Sequence, residues 1–199
     1  MKHLTIIALA LLAASSFAQA EDTRFGLQAT VSKPSGDVGD ENWMDGKLGY
    51  GIGMHLLVDL GGGIAIVPRI DYTIYKNDRT IGGLVKEDAN LKILSGGADF
   101  HYYFGREASQ GFYVLGGLGY ASGKFETEYS SPLIVLSADG SKGAFYVQAG
   151  AGIQFTRNFG VEVRYQSLEF KDVDTTVMGL TSRQDVSCPS LQASVVVRF

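Results

Sequence analysis

The chain has 199 residues, of which 45% are hydrophobic, with 26 glycines, 4 prolines, a single cysteine and a net charge of −4. So much apolar material excludes a disordered chain, and the mild acidity excludes a nucleic-acid partner, whose phosphates require clustered cations. Cys188 stands alone, so an oxidising compartment finds no intramolecular disulfide to form.

Met1-Lys2-His3 leads into an apolar run from Leu4 to Phe17, and Ala18-Gln19-Ala20 precedes Glu21-Asp22. A basic start, a short apolar segment and small residues at minus three and minus one describe a cleaved secretory leader over 1–20, leaving one domain over 21–199. Beyond Ala20 no run approaches the ~20 apolar residues of a spanning helix.

The remainder alternates with period two, the mark of strands that send successive side chains to opposite faces. Strand one, 24–32, sets Phe25, Leu27, Ala29 and Val31 against polar residues and glycine, and a turn-rich loop over 33–47 follows. Strand two, 50–60, sets Tyr50, Ile52, Met54, Leu56 and Val58 against Gly51, Gly53, His55, Leu57 and Asp59, and turns tightly at Gly61-Gly62-Gly63. Strand three, 64–75, opposes Ile66, Ile70, Tyr72 and Ile74 to Arg69, Asp71, Thr73 and Tyr75; its Pro68 predicts a bulge or an edge. A polar loop occupies 76–90. Strand four, 92–104, opposes Leu94, Phe100, Tyr102 and Phe104 to Ser95, Asp99, His101 and Tyr103. Strand five, 112–121, is apolar or glycine on both faces, which predicts close packing in a narrow barrel. After a long loop over 122–143, strand six opposes Phe145, Val147, Ala149, Ala151, Ile153 and Phe155 to Tyr146, Gln148, Gly150, Gly152 and Gln154. Strand seven begins at Phe159 with Glu162 and Arg164 on its polar face, a fourth loop spans 170–188, and Leu191, Ala193, Val195, Val197 and Phe199 form the apolar face of the last strand.

Eight strands thus alternate between long loops and short turns. The predicted fold is all-β, an eight-stranded antiparallel up-and-down transmembrane barrel with its apolar faces toward lipid. Closure is required because hydrocarbon cannot satisfy an open sheet edge. Aromatic residues fall into two sets, Phe25, Phe104, Phe112, Phe155, Phe159 and Phe199 near the short turns and Tyr50, Tyr72, Tyr120, Phe145 and Tyr165 near the long loops, as expected of girdles at two interfaces. A soluble lipocalin-like barrel would instead line its cavity with the cleanest apolar face and leave glycines in water.

The C-terminal pattern of Gln192, Val195, Val197 and Phe199 resembles the signal read by the outer-membrane barrel-assembly machinery, with Ser194 where glycine is usual. Together with FYVLGGLGYASG and AGAGIQFTRNFGVEVRYQSLEF it makes the mature chain resemble the eight-stranded bacterial outer-membrane barrels, the opacity, OmpA-barrel, OmpX and OmpW proteins. The resemblance implies a bacterial outer-membrane location with both termini periplasmic, contact with outer-membrane lipid and lipopolysaccharide, and a fold without a fixed activity.

His55, Asp59, Arg69, Asp71, Asp99, His101, Glu162, Arg164 and Arg198 occupy inward positions on the assigned strands. An eight-stranded barrel is just wide enough for side chains to fill, and an unpaired buried charge costs several kcal/mol, so these groups are expected to pair across the lumen as a plug. A charge-switched gate is the competing reading. Apolar patches punctuate the long loops at Trp43 and Met44, at Ile81 with Leu84 and Val85, at Leu133, Ile134, Val135 and Leu136, and at Val177, Met178 and Leu180. Either the strands extend beyond the membrane and these patches pack together, or they admit a small hydrophobic compound, the behaviour implied by the OmpW resemblance. Contact with host surfaces is a third reading.

Chemistry is thinly signalled. There is no H-E-x-x-H or paired-cysteine spacing for zinc, and the segments around Gly117–Lys124 and Asp40–Gly46 are out of register for phosphate and calcium loops. Asp99 and His101 share a strand face but should lie near a short turn, away from where hydrolase sites of such barrels open. The expectation is a non-enzymatic surface or structural barrel without cofactor or metal, the alternative a narrow channel or transporter for small solutes or small hydrophobic compounds.

Overall fold

A computed structural model describes residues 23–40, 47–81, 85–105, 110–130, 135–177 and 180–199. The predicted leader over 1–20 lies outside them. The strands are β1 (Thr23–Pro34), β2 (Gly49–Gly61), β3 (Ile64–Ile81), β4 (Val85–Tyr103), β5 (Gly111–Ser130), β6 (Val135–Gln154), β7 (Phe159–Val177), β8 (Leu180–Ser187) and β9 (Ser190–Arg198). One turn of helix, α1 (Gly36–Gly39), follows β1.

Each strand from β1 to β7 pairs antiparallel with the next, and β9 pairs with both β7 and β1, which closes the sheet on itself. The ring therefore has eight crossing strands, because β8 and β9 are two parts of one. The register that sets Phe159 opposite Val197 continues unchanged to Phe170 opposite Val186, and the backbone of Cys188 between them donates to Leu168 at 2.8 Å. Pro189, which has no N–H, sits in the break.

The faces of the ring follow the alternation. Tyr50, Ile52, Met54, Leu94, Phe100, Leu118, Phe145, Val147, Val163, Leu191 and Val195 are exposed on the outside, Phe145 to 81%. Both aromatic sets project outward, with Phe104 and Phe112 5.4 Å apart near one rim and Tyr120 and Phe145 5.3 Å apart near the other. The short connections and the C-terminus share the first rim. There Phe199 donates its N–H to Phe25, and Asn158 exchanges backbone and side-chain hydrogen bonds with Arg198. Gly61, Gly62 and Gly63 all have φ between 67° and 83°, a conformation that only glycine adopts cheaply.

Pro68 neither bulges nor lies on an edge. Against β4 its register is unbroken, while the β2 register passes from His55 opposite Arg69 to Val58 opposite Ile66, spanning the missing donor without a shift.

The long loops are where the structure departs most from the sequence reading. Residues 76–81 and 85–90 are paired strand, as are 122–130 with 135–143 and 170–177 with 180–187. On these extensions the faces keep their direction but exchange chemistry. Leu91, Ile93, Phe125, Leu168, Phe170, Val173 and Val186 turn inward and pack into one buried cluster with Tyr75, Tyr146 and Cys188, while Lys92, Lys124 and Glu169 face out. Val38 of α1 is fully buried in the same cluster. The helix is tied down by Ser35 donating to the carbonyl of Pro189 at 2.8 Å and by Asp37 accepting from the backbone and hydroxyl of Ser187 at 2.7 and 2.9 Å. The segment read as a loop over 33–47 thus lays an apolar side chain across the barrel mouth.

Candidate functional site

The interior is stacked in three layers. Leu57, Ala65, Val67, Tyr103, Tyr113 and Leu115 form an apolar layer at the turn rim, the cluster just described fills the mouth, and the charges lie between them.

Arg69 is the hub of the charged layer. Its Nε donates to Asp71 at 2.7 Å, its Nη1 to Asp99 at 2.7 Å and its Nη2 to Gln28 at 2.7 Å, with Glu162 3.5 Å from Nη1. Gln28 and Gln148 donate in turn to Asp71 and Asp99. Glu162 accepts from the Tyr113 hydroxyl at 2.8 Å and lies 2.9 Å from Arg164 Nε. Arg164 is almost fully buried, and Asp71 lies 3.9 Å from its Nη1. Its Nε and Nη1 lack a well-aligned acceptor, so charge proximity holds this guanidinium more than hydrogen bonding does. A cavity of ≈ 10 Å³ beside Arg164 and Asp71, lined also by Thr30, Thr73, Ser95 and Gln166, has room for about one water molecule.

The other sequence-named residues divide. Arg198 lies nearer the turn rim and among the described residues has no ion pair with a carboxylate; it donates to the Tyr103 hydroxyl at 2.8 Å, to Gln154 Oε1 at 2.9 Å and to His55 Nε2 at 3.3 Å. The expected pairing of opposite charges therefore gives way here to neutral oxygens and an imidazole acceptor, since those are the inward groups its rim supplies. Asp59 stands outside the layer: it is half-buried at the tight turn, accepting the Gly61 N–H at 2.8 Å. It keeps the inward face, directly opposite buried Ala65, but as the last residue in register before the turn it lies beyond the reach of the arginines. His101 stacks on Tyr113 with ring centroids 4.9 Å apart, and its Nε2 lies 3.9 Å from Asp99. It is 1% exposed and Asp99 is committed to Arg69, so the pair has no open face for a substrate.

Several partners of the charges carry no charge and were not singled out in the sequence: Gln28, Gln148, Gln154, Tyr103 and Tyr113. Their signal was available, since each is a polar or phenolic side chain at an inward position. The inner-face glycines form the other half of the fit. A Cβ at Gly117 would strike the Asp99 carboxylate, one at Gly97 or Gly119 the Tyr146 hydroxyl, one at Gly26 the His55 ring and one at Gly53 the Asp71 carboxylate. Bulky polar groups thus lie across bare backbone on the neighbouring strand, which lets so narrow a ring hold three arginines.

On the last strand Gln192 points inward and donates to Gln166 Oε1 at 3.1 Å, while Val195 and Phe199 are exposed outward and Val197 is half-exposed. Trp43, Met44, Leu133, Ile134 and Met178 lie outside the described residues, as does Leu84. Val135 and Leu136 begin β6 and Val177 ends β7, and of these only the backbone is described. Burial in the mouth cluster pushes the Cys188 thiol up to about 12, so at neutral pH it is a small apolar side chain. Among the described residues no group of three acidic, histidine or cysteine side chains is placed to hold a metal ion.

Known proteins agree with this architecture. The model of the outer membrane protein beta-barrel domain matches residues 4–199, whereas no curated protein matches the sequence. The fold is similar to the attachment invasion locus protein Ail of Yersinia pestis (17% identity, TM-score 0.54, 89% of this chain and 97% of that one). It is also similar to the N-terminal barrel of Pseudomonas aeruginosa OprF (13%, 0.53, 88% and 97%) and to a major outer membrane protein of Thermus thermophilus (14%, 0.57, 90% and 100%). At such identities the likeness is one of fold. The ring of eight strands, its apolar outer face and the family match over nearly the whole sequence place the chain in the outer-membrane β-barrel family, whose home is the bacterial outer membrane.

Proposed function

We propose that this chain is a non-enzymatic barrel, exported by the leader over 1–20, with both termini in the periplasm, its extended hairpins outside, and a lumen closed by the charged layer. It serves the envelope structurally or through its exposed surface. The observation that carries this reading is the engagement of Arg69 by Asp71, Asp99 and Gln28 between two apolar layers, the cavity beside Asp71 and Arg164 having room for about one water. Transport of small solutes or small hydrophobic compounds would need a continuous passage through all three layers. Gln192, Val195, Val197 and Phe199 serve as the signal to the assembly machinery, their outward members free on the surface of the final strand. The Ail barrel has been solved in complex with the heparin analogue sucrose octasulfate, and host-surface contact belongs to the proposal on that footing.

Single-channel recording in planar bilayers tests the closed lumen. The expected result is no discrete opening in the wild type, nor in Arg69→Ala, where the apolar layers on either side still close the lumen. Regular openings in the unaltered protein would establish the narrow-channel alternative.

A further inference from the structure

The charged layer leaves Arg164 incompletely engaged. The residue is 1% exposed, yet among the described residues its Nη1 has no acceptor in hydrogen-bond geometry. Asp71 Oδ2 lies 3.9 Å from it, too far for a direct hydrogen bond. A buried charged donor without an acceptor forfeits the hydration it had in water, and a polar gap of that width is the kind a third group spans.

The cavity of ≈ 10 Å³ lies beside this gap, where the charged layer meets the mouth cluster. Asp71 and Arg164 line it from the layer, Tyr75 and Ile93 from the cluster. Ile52 lines it too, although its side chain is 68% exposed on the outer face, so the wall it offers is bare backbone between Gly51 and Gly53. Thr73 and the Asp71 carboxylate lean across those two glycines, toward β2, and the carboxylate stops short of Arg164 on β7.

The lining decides which class of molecule fits. An anion would sit against the Asp71 carboxylate and a cation against the Arg164 guanidinium, so a bare ion of either sign meets a like charge where little solvent screens it. A neutral molecule that both accepts and donates meets neither objection. It can accept from Arg164 Nη1 and donate to Asp71 Oδ2, which accepts from Arg69 Nε and has a second lone pair to offer. The hydroxyls of Thr73 and Ser95 also line the space and turn to meet the remaining bonds. The volume is about the least that admits a water molecule, and a cavity holds water when its walls are polar.

We propose that this cavity is a binding site for one neutral, water-sized molecule, a water that accepts from Arg164 and donates to Asp71 and so completes the hydrogen bonding of the charged layer. The site rests on the closed-lumen reading, since in an open lumen the same edge of the guanidinium would meet bulk solvent.

Crystals of the mature chain test it first. The expected result is a single oxygen-sized density peak within hydrogen-bond distance of Arg164 Nη1, with no anomalous signal there after soaks in bromide or in rubidium. Absence of the peak overturns the proposal, and so does a bromide or rubidium signal at that position. In solution, with the barrel in detergent micelles, the side-chain N–H protons of Arg164 are expected to show a nuclear Overhauser cross-peak to water with the sign of a long-lived complex. Ser95→Val, which puts hydrocarbon into the cavity, is expected to remove that cross-peak, and an undiminished one counts against the site. Should Ser95→Val not fold, the crystal peaks decide. Single-channel recording reports the closed lumen separately: a conducting barrel sinks that reading, whereas a silent barrel without the bound water sinks the site alone.

Discussion

The same strands build two regions that obey opposite rules. Around the middle of the ring, β7 carries Val163 and Tyr165 outward and Glu162 and Arg164 inward; a few residues further along it carries Ser167 and Glu169 outward and Leu168 and Phe170 inward. The pleat does not slip, since the β7 register is continuous from Phe159 to Phe170. What changes is the medium outside. Against lipid the outer face is the place for apolar side chains, and the lumen must satisfy its polar groups internally. Beyond the lipid the outside is wet, and the only dry volume left is the barrel's own interior, so the hydrophobic effect reverses its direction across the sheet. The charged layer and the mouth cluster are two answers to one question, which is what fills a ring too narrow to stay open.

The largest expected effect separates the two fillings. Arg69→Met leaves Asp71, Asp99 and Glu162 around an apolar side chain, and loss of one partner from a buried ionic group costs about 3–5 kcal/mol, read as a lower midpoint in denaturant unfolding from lipid vesicles. A null result would mean that the layer is wetter than its contacts indicate. A charge scan along the outside of β7 sharpens the boundary: Val163→Arg should cost about 2–4 kcal/mol and Ser167→Arg about 0–1, so similar penalties at both positions would erase the distinction between the regions.

Smaller effects follow in the extension. Asp37→Ala removes both acceptor contacts to Ser187 and is expected to cost about 1 kcal/mol, an exposed tether being worth less than a buried one. It should also speed hydrogen exchange at the mouth while leaving the belt protected. The pH response of Glu126 is the smallest. Its carboxyl is depressed by the Lys124 and Lys92 hydrogen bonds, so its contribution is complete above the unfolded value of 4.5 and is lost as pH falls from there through the lower folded value. A fall in melting midpoint over that window should be shallower in Glu126→Gln, and should shrink with added salt because the group is exposed.

The sequence reading captured the belt because its rule, apolar on every second residue, needs only local periodicity. The inward charges are the polar half of the same alternation. That reading began strand four at Lys92, where the alternation inverts between Leu94 and Leu91, because a phase break looks like the end of a strand when only one medium is assumed. Asp59 keeps its inward parity opposite Ala65, but so close to the Gly61–Gly63 turn its carboxylate meets the Gly61 N–H and no arginine, which alternation alone does not indicate. Gln28, Gln148 and Tyr113 carry no charge, so their importance became visible only once Arg69 and Glu162 were seen to need them.

What the amino-acid order determined alone is the ring: eight amphipathic segments with tight turns at one end, since each strand's two faces are written in its own residues. What only the tertiary structure decided is which side chains meet inside it. That depends on the stagger between neighbouring strands, which brings Arg69 to Asp99 and seats Asp99 over Gly117, and on α1, whose Val38 is buried by residues from strands distant in the sequence. Local alternation carries no information about that stagger, because it is fixed by how bulky side chains fit across bare backbone on the next strand.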